Sequence, residues 1–222
     1  MDQVICLICL KEYIEELSFR TYFSQEPIMC DDCSRKFNYE QVRRCSHCNK
    51  KLLPDEESCI DCLFMKELFL PLDDIICLYD YDDWTRQLIY KYKFRKDIVL
   101  AEVFARFFKP HIKRLDYDMV IPLPSSSEKI HERGFDHMAE VVKRTGITFQ
   151  TPLKTKHRAK QAGLTKVERL KDSNPFYIEG EIAKRVLLID DIYTTGLTVH
   201  RAAEVLRNEN VTEVKVLTFA RV

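Results

Sequence analysis

Two hydrophobic periods alternate through the centre and C-terminal part of this chain. Ile75 to Tyr81 is a short apolar run of strand character, and Trp84 to Tyr92 follows it with helical spacing. Within 98–112, Val99, Val103, Phe104 and Phe107 recur every three or four residues, which predicts a second amphipathic helix. Met119 to Ile121 reads as a short strand stopped at Pro122, Asp136 to Arg144 as a helix, and Val186 to Ile189 as a buried strand. From Thr198 to Asn208, Val199, Ala202, Ala203 and Leu206 share one helical face, with Thr198 the expected N-cap. Val214 to Ala220 supplies a last strand. Strands that alternate with helices bury both faces of their sheet, so the pattern predicts an α/β domain with a mostly parallel sheet covered on both sides.

The N-terminal third lacks this alternation and is organised by cysteine. Eight of the nine cysteines form four Cys-x-x-Cys pairs, Cys6/Cys9, Cys30/Cys33, Cys45/Cys48 and Cys59/Cys62, while Cys77 sits in an apolar run and reads as inert core. Each Cys-x-x-Cys turn presents two thiolates to one side of a metal, and two turns complete a tetrahedron. Four pairs therefore predict two structural Zn²⁺ ions in closed sites that do no chemistry. Sequential pairing is favoured and an interleaved arrangement stays open. All five glycines fall at or after Gly134, so the knuckles lack their frequent glycine, and Asn49 is a candidate for the left-handed turn in one of them. The expected division is a Cys-rich module over 1–66 and an α/β domain over 67–222, with a hinge near 68–74 at Pro71.

Composition adds two constraints. No apolar run reaches the length of a membrane span, and the N-terminus lacks the basic start of a secretory signal, so a cytoplasmic protein without membrane insertion is expected. Formal charge is zero, with 35 Lys+Arg against 35 Asp+Glu, yet the window 84–175 holds 20 basic and 10 acidic residues. A basic centre between acidic flanks suits a polyanion as well as it suits a solvated surface. Within it, Leu88-Ile89-Tyr90-Lys91-Tyr92-Lys93-Phe94 interleaves lysine with aromatic rings. Lys91, Lys93 and Arg95 are candidates for contact with single-stranded nucleic acid, and the end of an ordinary amphipathic helix is the other reading.

The most specific chemistry lies in 186–198. A hydrophobic strand leads to Asp190 and Asp191, then to Thr194, Thr195, Gly196, Leu197 and Thr198 at the start of a helix. Loop amides and hydroxyls at a helix N-terminus hold a phosphate, whereas paired carboxylates accept hydrogen bonds from vicinal sugar hydroxyls or hold Mg²⁺. A ribose 5-phosphate satisfies both halves. These residues resemble the phosphoribosyl pyrophosphate (PRPP) signature of type I phosphoribosyltransferases, with Tyr193 standing where that family usually has an aliphatic residue. Arg133-Gly134, on a second loop after Pro122-Leu123-Pro124-Ser125, would pair Arg133 with pyrophosphate. The long polar stretch 154–175, with Arg158, Lys160, Gln161 and Arg169, is either a lid over the site or a disordered linker.

Taken together, the four cysteine pairs, the Leu-Ile-x-x-Tyr-Lys-Phe segment, Ile-Pro-Leu-Pro at 121–124, Arg-Gly-Phe-Asp-His at 133–137, the series Arg158, Gln161, Leu164, Arg169, Asn174 and Phe176, and the PRPP loop resemble the ComF family of competence proteins. Asp136-His137 departs from that family's usual Asn-Gln. The resemblance implies a double zinc-ribbon module before a phosphoribosyltransferase-like fold, and a protein that handles incoming single-stranded DNA beside other DNA-uptake proteins. It also implies a PRPP pocket with Mg²⁺ as companion ion. An active phosphoribosyltransferase, with Asp190 and Asp191 as its catalytic carboxylates and an unknown acceptor, is the alternative.

Overall fold

The computed structural model describes residues 3–14, 28–37, 39–56, 59–156 and 174–222. Arg158, Lys160, Gln161 and Arg169, expected in a lid, lie outside the described residues. The N-terminal part holds a hairpin of β1 (Gln3–Ile5) and β2 (Glu12–Ile14), a helical turn α1 (Asp31–Ser34) and helix α2 (Ile60–Leu68). There follow β3 (Asp74–Asp80), α3 (Asp83–Phe94), α4 (Leu100–Ile112), β4 (Met119–Pro122), α5 (Ser127–Arg133) and α6 (His137–Thr145). A short antiparallel pair, β5 (Leu153–Thr155) and β6 (Phe176–Ile178), precedes β7 (Arg185–Tyr193), α7 (Leu197–Asn208) and β8 (Glu213–Arg221). Four strands form the main sheet in the order β3-β8-β7-β4, every pair parallel.

Period-two alternation in β7 and β8 builds the two core layers. Leu187, Ile189, Leu217 and Phe219 pack with Leu88 and Tyr92 of α3, Phe104 and Phe108 of α4, and Met138 and Val142 of α6. Val186, Leu188, Val214 and Val216 meet Val199, Ala202, Ala203 and Leu206 of α7 on the opposite face. Each such large side chain, fully buried, contributes about 1.5–3 kcal/mol. Caps set where the helices begin. Asp82 accepts from the N–H of Thr85 (2.8 Å) at α3, and Asp136 accepts from the N–H groups of Met138 and Ala139 (3.2 and 3.3 Å) at α6.

Four features differ from the sequence reading. The strand expected to stop at Ile189 runs on to Tyr193, so the acidic pair lies inside it, with Asp190 in register with Thr218. At α7 the N-cap is Gly196, at φ +87°, and Thr198 is already helical. The polar stretch after Pro124 is not a loop but helix α5, capped by Ser126, whose only buried residue is Arg133. A helix so poor in apolar residues offers no periodicity to read. Helix α2 also runs through residue 66 to Leu68, into the segment read as a hinge.

Both Cys-rich halves share the sheet's core. Cys6, Ile8 and Cys33 pack in the layer of α3 and α4, and Cys45, Cys48, Cys59 and Cys62 in the layer of α7. Phe37 fixes the first half, its ring 4.5 Å from Phe107, 5.3 Å from Tyr79 and 6.0 Å from Phe219 between centroids. Arg44 fixes the second through Asp80 at the end of β3 (2.8 Å).

Ligand pairing is sequential: Cys6, Cys9, Cys30 and Cys33 gather in one cluster, and Cys45, Cys48, Cys59 and Cys62 in the other. The two knuckles repeat one geometry. The N–H of Leu10 donates to the carbonyl of Cys6 and that of Asn49 to the carbonyl of Cys45 (2.8 and 2.9 Å), with Leu10 and Asn49 both left-handed at φ 61° and 59°. Asn49 thus takes the turn expected of it, while in the first knuckle a leucine does so against about 1–2 kcal/mol of strain. All nine cysteines are unbridged. Sulfur pairs stand 3.8 Å apart at Cys9/Cys30 and Cys45/Cys62 and 3.7 Å at Cys48/Cys59. The edge of a tetrahedron with Zn–S of about 2.3 Å is about 3.8 Å, so both donor sets fit zinc. Cys77 is the buried exception. Thr218 donates to its sulfur (3.2 Å), and burial pushes the thiol up to about 11, as suits inert core.

Metal analysis of the pure protein is expected to return two zinc ions per chain with every cysteine intact, and chelation to lower the midpoint of thermal unfolding followed by circular dichroism. One ion or none would contradict the double site.

Candidate functional site

The site forms at the carboxyl ends of β4 and β7, where an open parallel sheet receives its ligands. Asp190 and Asp191 are consecutive strand residues that would normally face opposite ways. The carboxylate of Asp190 folds back to accept from the N–H of Asp191 (2.9 Å). One oxygen of each aspartate and a ring nitrogen of His137 consequently lie within 4.8 Å of one another.

Two carboxylates so placed repel, and burial penalises both. Lys93, from the end of α3, forms an ion pair with Asp191, and the two side chains are only 17% and 13% exposed. His137, at the first position of α6, brings Nε2 to 3.7 Å from Asp191. Burial acts to raise Asp191, but the Lys93 ammonium and then His137 outweigh it and hold its carboxyl well below the usual range. Asp190 takes the opposite course, because burial and then the charge of Asp191 raise it well above that range. His137 is lowered by burial, only partly offset by Asp191. Its Nδ1 lies 3.0 Å from Ser125 Oγ, while Nε2 is buried without a hydrogen-bond partner among the described residues. Ser125 is fixed in turn by its N–H to Asp136 (3.2 Å).

The hydroxyl-rich loop follows directly. Thr194 and Thr198 are exposed, Thr195 and Leu197 half-buried, and Gly196 buried. Among the described residues, the N–H groups of Thr195 and Gly196 meet no acceptor, and that of Leu197 has only Thr195 Oγ1 at 3.5 Å. Such donors at the positive end of a twelve-residue helix suit a phosphate. Tyr193, 2% exposed, lies under the loop, and a Cβ at position 196 would fall 2.2 Å from its hydroxyl. Glycine is required there by space as well as by φ. His200 closes the turn through the carbonyl of Gly196 (2.9 Å to Nδ1).

The expected residues are thus redistributed. Lys93 leaves the proposed DNA surface for the carboxylate site, whereas Lys91 and Arg95 line a separate cleft of about 430 Å³ with Arg86, Gln87 and Tyr90. Arg133 is 8% exposed and donates from Nε to the carbonyl of Lys93 (3.2 Å), so it braces the lysine that pairs with Asp191. Lys93 was expected only as a DNA contact, and Ser125 and His137 only within segments flanking a second loop that faces 186–198; the fold brings these three side chains to the carboxylates. The departure from the family's usual residues at 136–137 was a further signal at His137.

Fold and site together define a phosphoribosyltransferase-like domain carried behind a Cys-rich module, and residues 130–222 match the family described as phosphoribosyl transferase domain. Along nearly its whole length the chain is similar to competence proteins. It is 28% identical to Competence protein ComFC of Streptococcus pneumoniae, over 97% of this chain and 99% of that protein. To Competence protein ComFC of Bacillus subtilis it is 28% identical over 93% of this chain and 90% of that one, and to Competence protein F of Haemophilus influenzae 24% over 87% and 90%. Among solved structures, an orotate phosphoribosyltransferase from Aeropyrum pernix aligns over 73% of this chain and 81% of its own at 18% identity, with a TM-score of 0.34, too low to weigh.

The opposed shifts of the two aspartates are expected to separate in mutants. Asp191→Asn strands Lys93 and should lower stability by about 3 kcal/mol, the lower end for breaking a buried pair. Asp190→Asn keeps an oxygen for the N–H of Asp191 and removes the repulsion, so it should be at least as stable as the wild type. The sign follows from linkage. A raised carboxyl binds its proton more tightly when folded, so the wild type loses stability as pH climbs above about 4 toward the folded value. The advantage of Asp190→Asn should therefore widen over that range in urea melts. Equal loss in both mutants would contradict the assignment.

Proposed function

We propose that the chain is a ComF-type competence factor that binds a ribose 5-phosphate or PRPP ligand at the end of β7 and handles single-stranded DNA on the outer face of α3. The observation that carries the first half is the placement of Asp190 and Asp191 immediately before a loop of open amides and threonine hydroxyls. Thr194, Thr195, Gly196 and Thr198 would receive the phosphate, with Leu197 lending its backbone amide, and Asp190 and Asp191 the sugar hydroxyls. The carboxylate oxygens suit Mg²⁺, which takes oxygen ligands and would neutralise diphosphate charge when bound. His137 and Lys93 border the same carboxylates and are placed to orient them. Its competence relatives support the wider role, and no described helix is long and apolar enough to cross a membrane.

Support for the second half comes from α3. Tyr90 and Phe94 are 53% and 64% exposed, with ring centroids 5.2 Å apart and planes inclined by 30°. Two adjacent open rings beside Arg86, Lys91 and Arg95 form a stacking platform with cations at its edge, the combination that holds single strands without regard to sequence.

Calorimetry with ribose 5-phosphate and with PRPP plus Mg²⁺ is expected to show binding by the wild type, and a loss of about tenfold or more in the Asp190→Ala, Asp191→Ala double mutant, since hydrogen bonds to charged groups contribute about 1.5–3 kcal/mol. Equal affinities would mean that the loop has been misread. Pyrophosphate release from PRPP across a panel of acceptors separates a transferase from a binding protein.

For DNA, fluorescence anisotropy against salt should show affinity falling steeply. Lys91→Ala with Arg95→Ala should flatten the slope by about 1.4 units, at about 0.7 per phosphate contact, and Tyr90→Ala should cost about 1–3 kcal/mol through lost stacking. Unchanged binding at every salt concentration would leave α3 an ordinary solvated face.

A further inference from the structure

Arg221, the penultimate residue, is 3% exposed at the end of β8. Its guanidinium faces two regions at once. Toward the second cysteine cluster, Nη2 donates to Cys48 Sγ (3.3 Å) and Nε to the Cys48 carbonyl (3.1 Å). Toward the hydroxyl loop, Nη1 donates to the carbonyls of Tyr193 (3.1 Å) and Thr194 (2.6 Å). Asp61, beside Cys62, lies 3.6 Å from Nη2, and the Tyr193 ring centroid 5.0 Å from the guanidinium carbon. One planar cation thus ties together residues 173 and 28 positions away in sequence.

The consequence for the loop follows from peptide geometry. In a trans peptide the C=O of one residue and the N–H of the next point in opposite directions. With the carbonyls of Tyr193 and Thr194 tethered to Arg221, the N–H groups of Thr194 and Thr195 turn away from it. Arg221 therefore orients donors of the loop without itself reaching a ligand in it. On the cluster side, four thiolates gathered around Zn²⁺ leave a net negative centre, which an N–H···S bond from a buried cation offsets. Outer partners of this kind commonly tune metal affinity by about 10–100-fold.

We infer that Arg221 is a positioning residue through which metal occupancy of the Cys45/Cys48/Cys59/Cys62 cluster sets the affinity of the 194–198 loop for a phosphate monoester. Zinc holds the knuckle together and with it both Cys48 acceptors. When the metal leaves, the thiolates repel, the knuckle opens, and the guanidinium is no longer held over the two loop carbonyls. Coupling is positive and reciprocal, so the phosphate ligand must tighten zinc by the factor by which zinc tightens the ligand. This inference rests on the reading of the loop as a phosphate site.

The test uses the full-length zinc-loaded protein, ribose 5-phosphate as ligand, and a chromogenic chelator to titrate zinc with and without saturating ligand. In the wild type, ligand should tighten one of the two zincs by about tenfold, within the usual range of coupling energies, and leave the other unchanged. Arg221→Lys keeps the charge but lacks the fork that spans both regions. With two zincs still bound and the far-ultraviolet circular dichroism unchanged, it should bind ribose 5-phosphate about tenfold more weakly and lose the ligand-dependent shift in zinc affinity. A role in packing alone would not move that shift. Should the wild type bind ribose 5-phosphate while both zincs stay indifferent to it, the coupling is overturned and the phosphate site stands. Should the wild type bind no ribose 5-phosphate, the phosphate site falls, and the coupling with it. The wild-type titration decides the matter even if Arg221→Lys does not fold.

Discussion

Two carboxylates on consecutive residues of a buried strand are an electrostatic problem that the surrounding fold has to answer. Asp191 is held charged by Lys93, and Asp190, turned back onto the N–H of Asp191, bears the rising cost of a second charge. Much of the local architecture serves that arrangement. Arg133 fixes the backbone of Lys93, Tyr92 donates to the carbonyl of His137 (2.6 Å), and Ser125 steadies the His137 ring. A polar ligand with vicinal hydroxyls gives such carboxylates hydrogen-bond donors that the protein alone does not supply.

The Cys-rich part is bound into the same system. Its halves occupy both core layers, and the second meets the carboxyl end of the sheet through Arg44 with Asp80 and Arg221 with Cys48, and the start of β3 through Asn49 with the carbonyl of Ile75 (3.1 Å). Metal sites commonly staple modules too small to bury a core of their own. Here the staple also borders the strand end from which the hydroxyl loop departs, which joins metal binding and the candidate ligand site in one piece of structure.

What the sequence made legible was what lies contiguous in it. The Asp-Asp and Thr-Thr-Gly-x-Thr pattern, the cysteine spacing and the amphipathic helices each rest on neighbours within a dozen residues. Asn49 was readable as a turn residue because its side chain tolerates left-handed backbone, whereas Leu10 in the equivalent place was not. The extension of β7 through Asp190 and Asp191 was hidden because aspartate disfavours strands, and here pairing with β8 overrides that preference. Lys93 looked like part of a basic surface because a one-dimensional charge pattern cannot show that the helix turns that side chain inward while Lys91 and Arg95 stay at an open cleft. Arg221 gave no signal, since its partners are brought to it by the sheet and the metal cluster.

The central claim is that the end of β7 and the start of α7 hold a sugar phosphate. A crystal structure of the zinc-loaded protein with ribose 5-phosphate tests it most directly. Phosphate density over the amides of Thr195 and Gly196, with the vicinal hydroxyls on Asp190 and Asp191, is the expected result. Density for the ligand elsewhere, with the loop empty at saturating concentration, would contradict it.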